Sequence, residues 1–151
     1  MKNQVTVLTT IVVVLACPVL SPMTQALLPP PPPDGGYPNG NTAEGDNTLL
    51  NLTVGSGDTA LGFAALGSNT SGSQNTATGF DALVLNTGGG HNTAVGYQAL
   101  FSSTLGFFNT ATGDGALFSN DGFNNTATGA SALEANTSGE DNTATGDCSP
   151  V

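Results

Sequence analysis

The sequence predicts an all-β fold, a parallel β-solenoid or β-roll of about seven 17-residue coils. Three periodic features predict it. A glycine recurs at Gly45, Gly62, Gly79, Gly96, Gly113, Gly129 and Gly146, at spacings of 17, 17, 17, 17, 16 and 17 residues. Thr-Ala precedes each glycine at a fixed offset, from Thr42-Ala43 to Thr143-Ala144. A leucine follows by four residues: Leu49, Leu66, Leu83, Leu100, Leu117 and Leu133. Such a short, fixed period marks a solenoid or array. Each unit is too short for a helical hairpin repeat, which needs about 33 residues or more.

Each unit reads N/D-T-A-x-G-x-x-A-L-x-x-N-T-x-G-x-x. The expected coil has two short strands, N-T-A-x and x-x-A-L-x, separated by glycine turns. Stacked coils hydrogen-bond along the axis at about 4.8 Å each, so seven give a rod on the order of 30 Å long. A second glycine closes the unit at Gly55, Gly72, Gly89, Gly106, Gly122 and Gly139. The single 16-residue step falls at this second turn. There Ser119-Asn120-Asp121-Gly122 is one residue shorter than Ser102-Ser103-Thr104-Leu105-Gly106. Deletions are tolerated in loops, which supports the turn assignment.

Side chains alternate across a strand. In the first strand the unchanging Ala is assigned to a narrow core. In the second, Leu66, Leu83, Leu100 and Leu117 fall on one face. Phe63, Phe80 and Tyr97, with Ala65, Ala82, Ala99 and then Val84, Phe101 and Phe118, fall on the other. A single solenoid buries only one of these apolar faces. An exposed aromatic row marks an interface, so an oligomer is expected. The recurrent Asn75, Asn92, Asn109, Asn125 and Asn142 are expected to stack as an amide ladder, each satisfying the next. Asn51-Leu52-Thr53 and Asn69-Thr70-Ser71 match the glycosylation triplet, as chance allows in an Asn/Thr-rich repeat.

The domain is preceded by two other segments. Residues 1–26 read as a secretory signal peptide: Lys2 supplies the positive start, Val5 to Leu20 is mostly apolar and uncharged, and Thr24-Gln25-Ala26 offers a cleavage site after Ala26. Alternatives are an uncleaved anchor and lipoprotein processing, in which Val14-Leu15-Ala16 precedes a lipidated Cys17. Residues 27–40 read as a linker: Pro29 to Pro33 favour an extended polyproline spacer, and Asp34-Gly35-Gly36 and Pro38-Asn39-Gly40 are turn chemistry. The repeat domain is assigned to 41–146, and 147–151 to a short tail. No cap for either terminal coil is evident, although solenoids need them.

Composition narrows the function. The chain carries one basic residue, Lys2, against eleven acids. Nucleic-acid affinity rests on cations that neutralise phosphates, so no nucleic-acid partner is expected, and anionic membrane surfaces are disfavoured. Enzymatic activity is not expected either, because no nucleophile, base and stabiliser converge. No catalytic, cofactor-binding or metal residues are assigned. The sole histidine, His91, lies in a turn of one repeat, and no His/Cys metal motif is present. Asp46, Asp58, Asp81, Asp114 and Asp141 occupy differing repeat positions, unlike a calcium-binding β-helix repeat. Cys17 and Cys148 provide no disulfide framework.

The unit, best seen in Asn92-Thr93-Ala94-Val95-Gly96 and Asn75-Thr76-Ala77-Thr78-Gly79, resembles the head repeats of YadA-like trimeric autotransporter adhesins. The resemblance spans about residues 41–146. It implies a left-handed parallel β-roll that forms a homotrimer, with small residues inside each roll and larger ones between subunits. It also implies a secreted or bacterial cell-surface adhesin whose host or matrix ligand is not specified. The period is longer than that family's, and no stalk, membrane barrel or chaperone tail is visible. One alternative is therefore a truncated fragment of a tail-fibre-like protein. Another is an ice-binding protein. Thr76/Thr78, Thr110/Thr112, Thr126/Thr128 and Thr143/Thr145 form Thr-x-Thr rows that resemble the ice-binding face of some antifreeze solenoids, although Glu44, Leu61 and Val95 interrupt them.

Overall fold

The computed structural model describes residues 36–147. The expected signal peptide, most of the expected linker, and Cys17 and Cys148 lie outside the described residues.

Seven short parallel strands stack in chain order: β2 (Asn41–Glu44), β3 (Thr59–Leu61), β4 (Thr76–Thr78), β5 (Thr93–Val95), β6 (Thr110–Thr112), β7 (Thr126–Thr128) and β8 (Thr143–Thr145). Their register is uniform. Thr42 pairs with Thr59, Thr59 with Thr76, and so on to Thr126 with Thr143. The fold is a β-solenoid of about six turns, as the period predicts. The Thr-Ala-x segment makes a strand because Thr suits the pleated surface and the intervening Ala turns inward. Ala60, Ala77, Ala94, Ala111 and Ala127 are completely buried. Each strand is linked to the next by a repeated bond, in which the Thr N–H donates to the carbonyl of the Asn or Asp one coil on. Thr76 to Asn92 O, at 2.8 Å, is an example.

The glycine after each strand is required by close approach. Gly45 has φ +123, and a Cβ there would lie 2.7 Å from the carbonyl oxygen of Gly62 in the next coil. Gly62 repeats the relation with Gly79 at 2.6 Å. A side chain at either position would force the coils apart.

The expected second strand is not formed. The x-x-A-L-x segment is a turn, and its leucines stand in left-handed backbone: Leu66 at φ 52, Leu83 at 51, Leu100 at 53 and Leu117 at 51. The residue two places earlier is also left-handed, as at Ala64 (φ 54) and Gln98 (φ 53). Turn bonds close the segment, with Gly67 N–H donating to Ala64 O at 2.9 Å and Asn69 N–H to Leu66 O at 3.0 Å. This geometry breaks strand alternation, so neighbouring Ala and Leu both point inward. Ala65, Ala82 and Ala99, assigned above to the partner-facing side, are completely buried with Leu66, Leu83 and Leu100. Left-handed backbone costs a non-glycine residue roughly 1–2 kcal/mol, whereas burying a leucine contributes about 1.5–3 kcal/mol. Burial therefore holds the turn.

The predicted amide ladder is present. Asn92 donates from Nδ2 to Asn75 Oδ1 (3.2 Å), and Asn109 from Nδ2 to Asn92 Oδ1 (3.2 Å). The ladder ends at Asn142, whose Nδ2 donates to Asn125 Oδ1 at 3.1 Å. A second ladder, not anticipated from sequence, runs through Asn69, Asn86, Asn120 and Asn136, with Asn86 Nδ2 donating to Asn69 Oδ1 at 3.2 Å. Ser103 occupies one rung. It is too short to span the gap, and Asn86 Oδ1 and Ser103 Oγ are buried with no hydrogen-bond partner among the described residues.

The N-terminal coil does have a cap. Strand β1 (Gly36–Tyr37) turns through a 3-10 turn, Pro38–Gly40, and pairs antiparallel with β2. Tyr37 packs against the core. Residues 36–40, assigned to the linker from their turn chemistry, thus cover the first coil.

Candidate functional site

The outer surface of the solenoid concentrates its chemistry in rows along the axis. The first residue of each strand is Thr, and the third is Leu61, Thr78, Val95, Thr112, Thr128 or Thr145 from β3 to β8. Both point outward, because the middle Ala points in. Two residues beyond, just past the glycine, stand Phe63, Phe80 and Tyr97. These rings are 43%, 46% and 50% exposed, although they are large and apolar. They stack on one another, with centroids 4.9 Å apart for Phe63–Phe80 and 5.6 Å for Phe80–Tyr97, at interplanar angles of 15° and 21°. The spacing follows the coil rise, so each ring covers its neighbour's face and presents its edge outward. A sugar-binding platform needs exposed ring faces, which this row does not offer. Its edges, beside the exposed Leu61 and Val95, form an apolar strip. Asp46 and Asp114 occupy the same repeat position in the flanking coils and bound it.

Two other aromatic groups lie elsewhere on the coil. Phe101 and Phe118 stack at 4.9 Å and 4° but are half-buried. His91 stacks on Phe108 at 4.7 Å, and Phe107 stacks on Phe123 at 6.2 Å. The histidine is exposed, and the described residues bring no group of three His, Cys, Asp or Glu side chains together as metal ligands.

The C-terminal three strands differ from the middle ones. Thr110, Thr112, Thr126, Thr128, Thr143 and Thr145 form a two-by-three grid in parallel register. All but the partly covered Thr110 are exposed. The apolar strip and the threonine grid therefore share one strand face but occupy different coils.

The two glycosylation triplets differ in access. Asn69 is completely buried and donates from Nδ2 to Asp58 Oδ2 (3.0 Å) and Gly72 O (3.1 Å). Asn51 is exposed, with its Nδ2 donating to Gly67 O at 2.8 Å. In the folded domain only Asn51 of the two is open to modification.

Two carboxylates have structural roles. Asp58 replaces Asn in the first ladder, and burial pushes its carboxyl above the usual range despite hydrogen bonds from Asn75 and Asn69. Asp121 stands at the deletion in the fifth coil. Its Oδ1 accepts the N–H groups of Thr104 and Leu105, both at 2.8 Å, and its Oδ2 accepts the Thr104 hydroxyl at 3.0 Å. In the preceding coil the amides of Thr87 and Gly88 donate instead to the backbone carbonyl of Thr104. The carboxylate thus replaces the carbonyl displaced by the missing residue. Partial burial pulls the Asp121 carboxyl upward, but these hydrogen bonds outweigh it and hold the group below its ordinary range.

Comparison with protein-family models, with curated proteins and with solved structures gives no match.

Proposed function

We propose that the protein is a secreted or cell-surface structural and adhesive solenoid without enzymatic activity, a head-like module of a bacterial trimeric adhesin. The observation that carries this reading is the exposed aromatic row Phe63–Phe80–Tyr97 with Leu61 and Val95. A contiguous exposed apolar strip is the usual mark of an interface. The row follows the coil axis, so copies packed side by side with parallel axes bury its full length. Three-fold packing also leaves the remaining sides of each roll free for adhesion. The resemblance of the N-T-A-x-G unit to adhesin head repeats supports the same arrangement, and the apolar N-terminal segment supports export.

The test is the mass of the chain lacking residues 1–26, measured by light scattering. A trimer supports the proposal, and a monomer at all accessible concentrations overturns it. Binding of the trimer to immobilised matrix proteins, against a non-binding control, tests the adhesive part separately.

One observation favours a second reading, an ice-binding face. The six threonines of β6 to β8 form a regular grid of hydroxyl and methyl groups. A thermal-hysteresis assay with no ice shaping disposes of it.

A further inference from the structure

We infer that the proline-rich segment ahead of the first coil, Leu27 to Pro33, docks in extended form along the aromatic row Phe63–Phe80–Tyr97 of its own chain, and that copies must displace it to assemble through that row. Strand polarity aims the segment there. β1 pairs antiparallel with β2, with Gly36 opposite Thr42 and Tyr37 opposite Asn41. Going back from Gly36 therefore runs the same way as going forward from Thr42 through Ala43, Glu44 and Gly45 to Asp46. Asp46 holds in the first coil the repeat position that Phe63, Phe80 and Tyr97 hold in the next three. The segment thus meets the strand face at the edge that carries the aromatic row. His91 and Phe108, which precede their strands, line the opposite edge.

Length and shape fit the row. From Gly36 the path to Phe63 crosses about four strand residues and descends two layers, about 16 Å in a straight line. At about 3.1 Å per residue, five residues of polyproline II chain cover it. Pro31 then stands beside Phe63. Polyproline II has three residues per turn, so residues three apart share a face about 9 Å apart. The row advances by 4.9 Å from Phe63 to Phe80 and by 5.6 Å from Phe80 to Tyr97, close to one such turn. Leu28 therefore comes beside Tyr97, with Pro29 and Pro30 between.

The chemistry selects the same occupant. Leu27 to Pro33 is apolar and uncharged. Its prolines bring no N–H to be left unpaired on an apolar surface. A run already stiffened into polyproline II loses little freedom on docking, and surfaces lined by aromatic rings are the kind that receive it. A second copy packed on the row needs the same ring edges, so the segment and the copy exclude each other. Naming the copy as competitor rests on the trimer reading above, whereas the docking itself does not.

Tyr97 is the reporter. The chain has two tyrosines and no tryptophan, so Tyr37→Phe leaves Tyr97 as the one fluorescent ring of the row. The test uses the chain lacking residues 1–26, which keeps the segment and the whole solenoid. It compares Pro29–Pro33 with a version carrying Ser at all five positions, equal in length and charge. Acrylamide quenching is read at a dilution where sedimentation shows single copies. The Ser version is expected to lose protection of Tyr97. It is also expected to assemble at a concentration at least about tenfold lower, as when the row is free only about a tenth of the time in the parent. Equal quenching of Tyr97 in the two proteins overturns the docking, whatever their mass. Copies that stay together at every measurable dilution leave the segment nothing to cover and overturn it too. A protected Tyr97 in a chain that never assembles upholds the docking and removes the trimer reading instead. Unequal quenching with equal assembly overturns the competition.

Discussion

Asp58 Oδ1 accepts two hydrogen bonds from Asn75, one from the backbone N–H at 2.8 Å and one from Nδ2 at 3.1 Å. One coil further, Asn75 Oδ1 makes the same pair of bonds with Asn92 at 3.1 and 3.2 Å. The ladder therefore continues through a carboxylate, whose second oxygen accepts a bond from Asn69 Nδ2 at 3.0 Å, at the cost of burying a charge.

The Asp58 carboxyl is raised in the folded state, mainly by burial and against the hydrogen bonds from Asn75 and Asn69. A raised carboxyl contributes stability that is fully present below its unfolded value of about 3.9 and is lost as pH rises through the folded value. Asp58→Asn is therefore expected to raise the melting temperature at pH 7, with the gain fading as pH approaches about 4. Thermal unfolding of both proteins across that range checks this. An Asn variant that is less stable at neutral pH contradicts it.

Asp121 acts in the opposite direction. Its carboxyl is held low by the amides of Leu105 and Thr104 and the Thr104 hydroxyl, which outweigh burial. Its contribution is present above the unfolded value and is lost as pH falls through the folded one. Asp121→Ala should destabilise the protein at pH 7 by about 1 kcal/mol, a small value because the residue is exposed and screened. The local readout is faster amide exchange at Thr104 and Leu105.

Ser103→Asn restores the broken rung of the second ladder. Leaving a buried polar atom unsatisfied costs about 1–3 kcal/mol, and the new amide Nδ2 is placed to donate to Asn86 Oδ1. A gain of about 1 kcal/mol in urea unfolding is expected. A loss would show that the column lacks room for the larger side chain at this rung.

The Ala-Leu turn makes two opposed predictions. Leu100→Ala opens a cavity in the leucine column and should cost about 2–5 kcal/mol. Ala64→Gly relieves left-handed backbone at φ 54 and should raise stability by up to about 1 kcal/mol, the strain relieved less glycine's added chain entropy. Gly115, at φ 61 in the equivalent position, already has this solution.

The strand and the first ladder were legible because their causes are local and periodic. Gly79, Ala77 and Asn75 recur at a fixed spacing, and each residue type has one plain use there. The Ala-Leu segment reads as a strand in the sequence because the mark of its turn is a positive φ at Leu83 and its equivalents, and leucine carries no chemical sign of that conformation. Strand alternation would place Ala82 on the surface, whereas the turn buries it and narrows the exposed apolar face. The second ladder could have been found, since Asn69, Asn86, Asn120 and Asn136 recur with the same period. Ser103 in one rung and Leu52 one coil before Asn69 hide the pattern. The Tyr37 cap was not legible, because Asp34-Gly35-Gly36 and Pro38-Asn39-Gly40 carry the same turn chemistry whether they end a linker or fold a strand back.

The central claim is that the strip containing Phe80 is buried between copies of the chain. Sedimentation equilibrium of the chain lacking residues 1–26, compared with its Phe80→Asp variant, tests it most directly. Phe80 is exposed within one roll, so the substitution is expected to leave the coil core intact, with circular dichroism as the check that the fold is retained. The account predicts a trimer for the parent chain and a folded monomer for the variant. A parent chain that is monomeric, or a variant that assembles as the parent does, contradicts it.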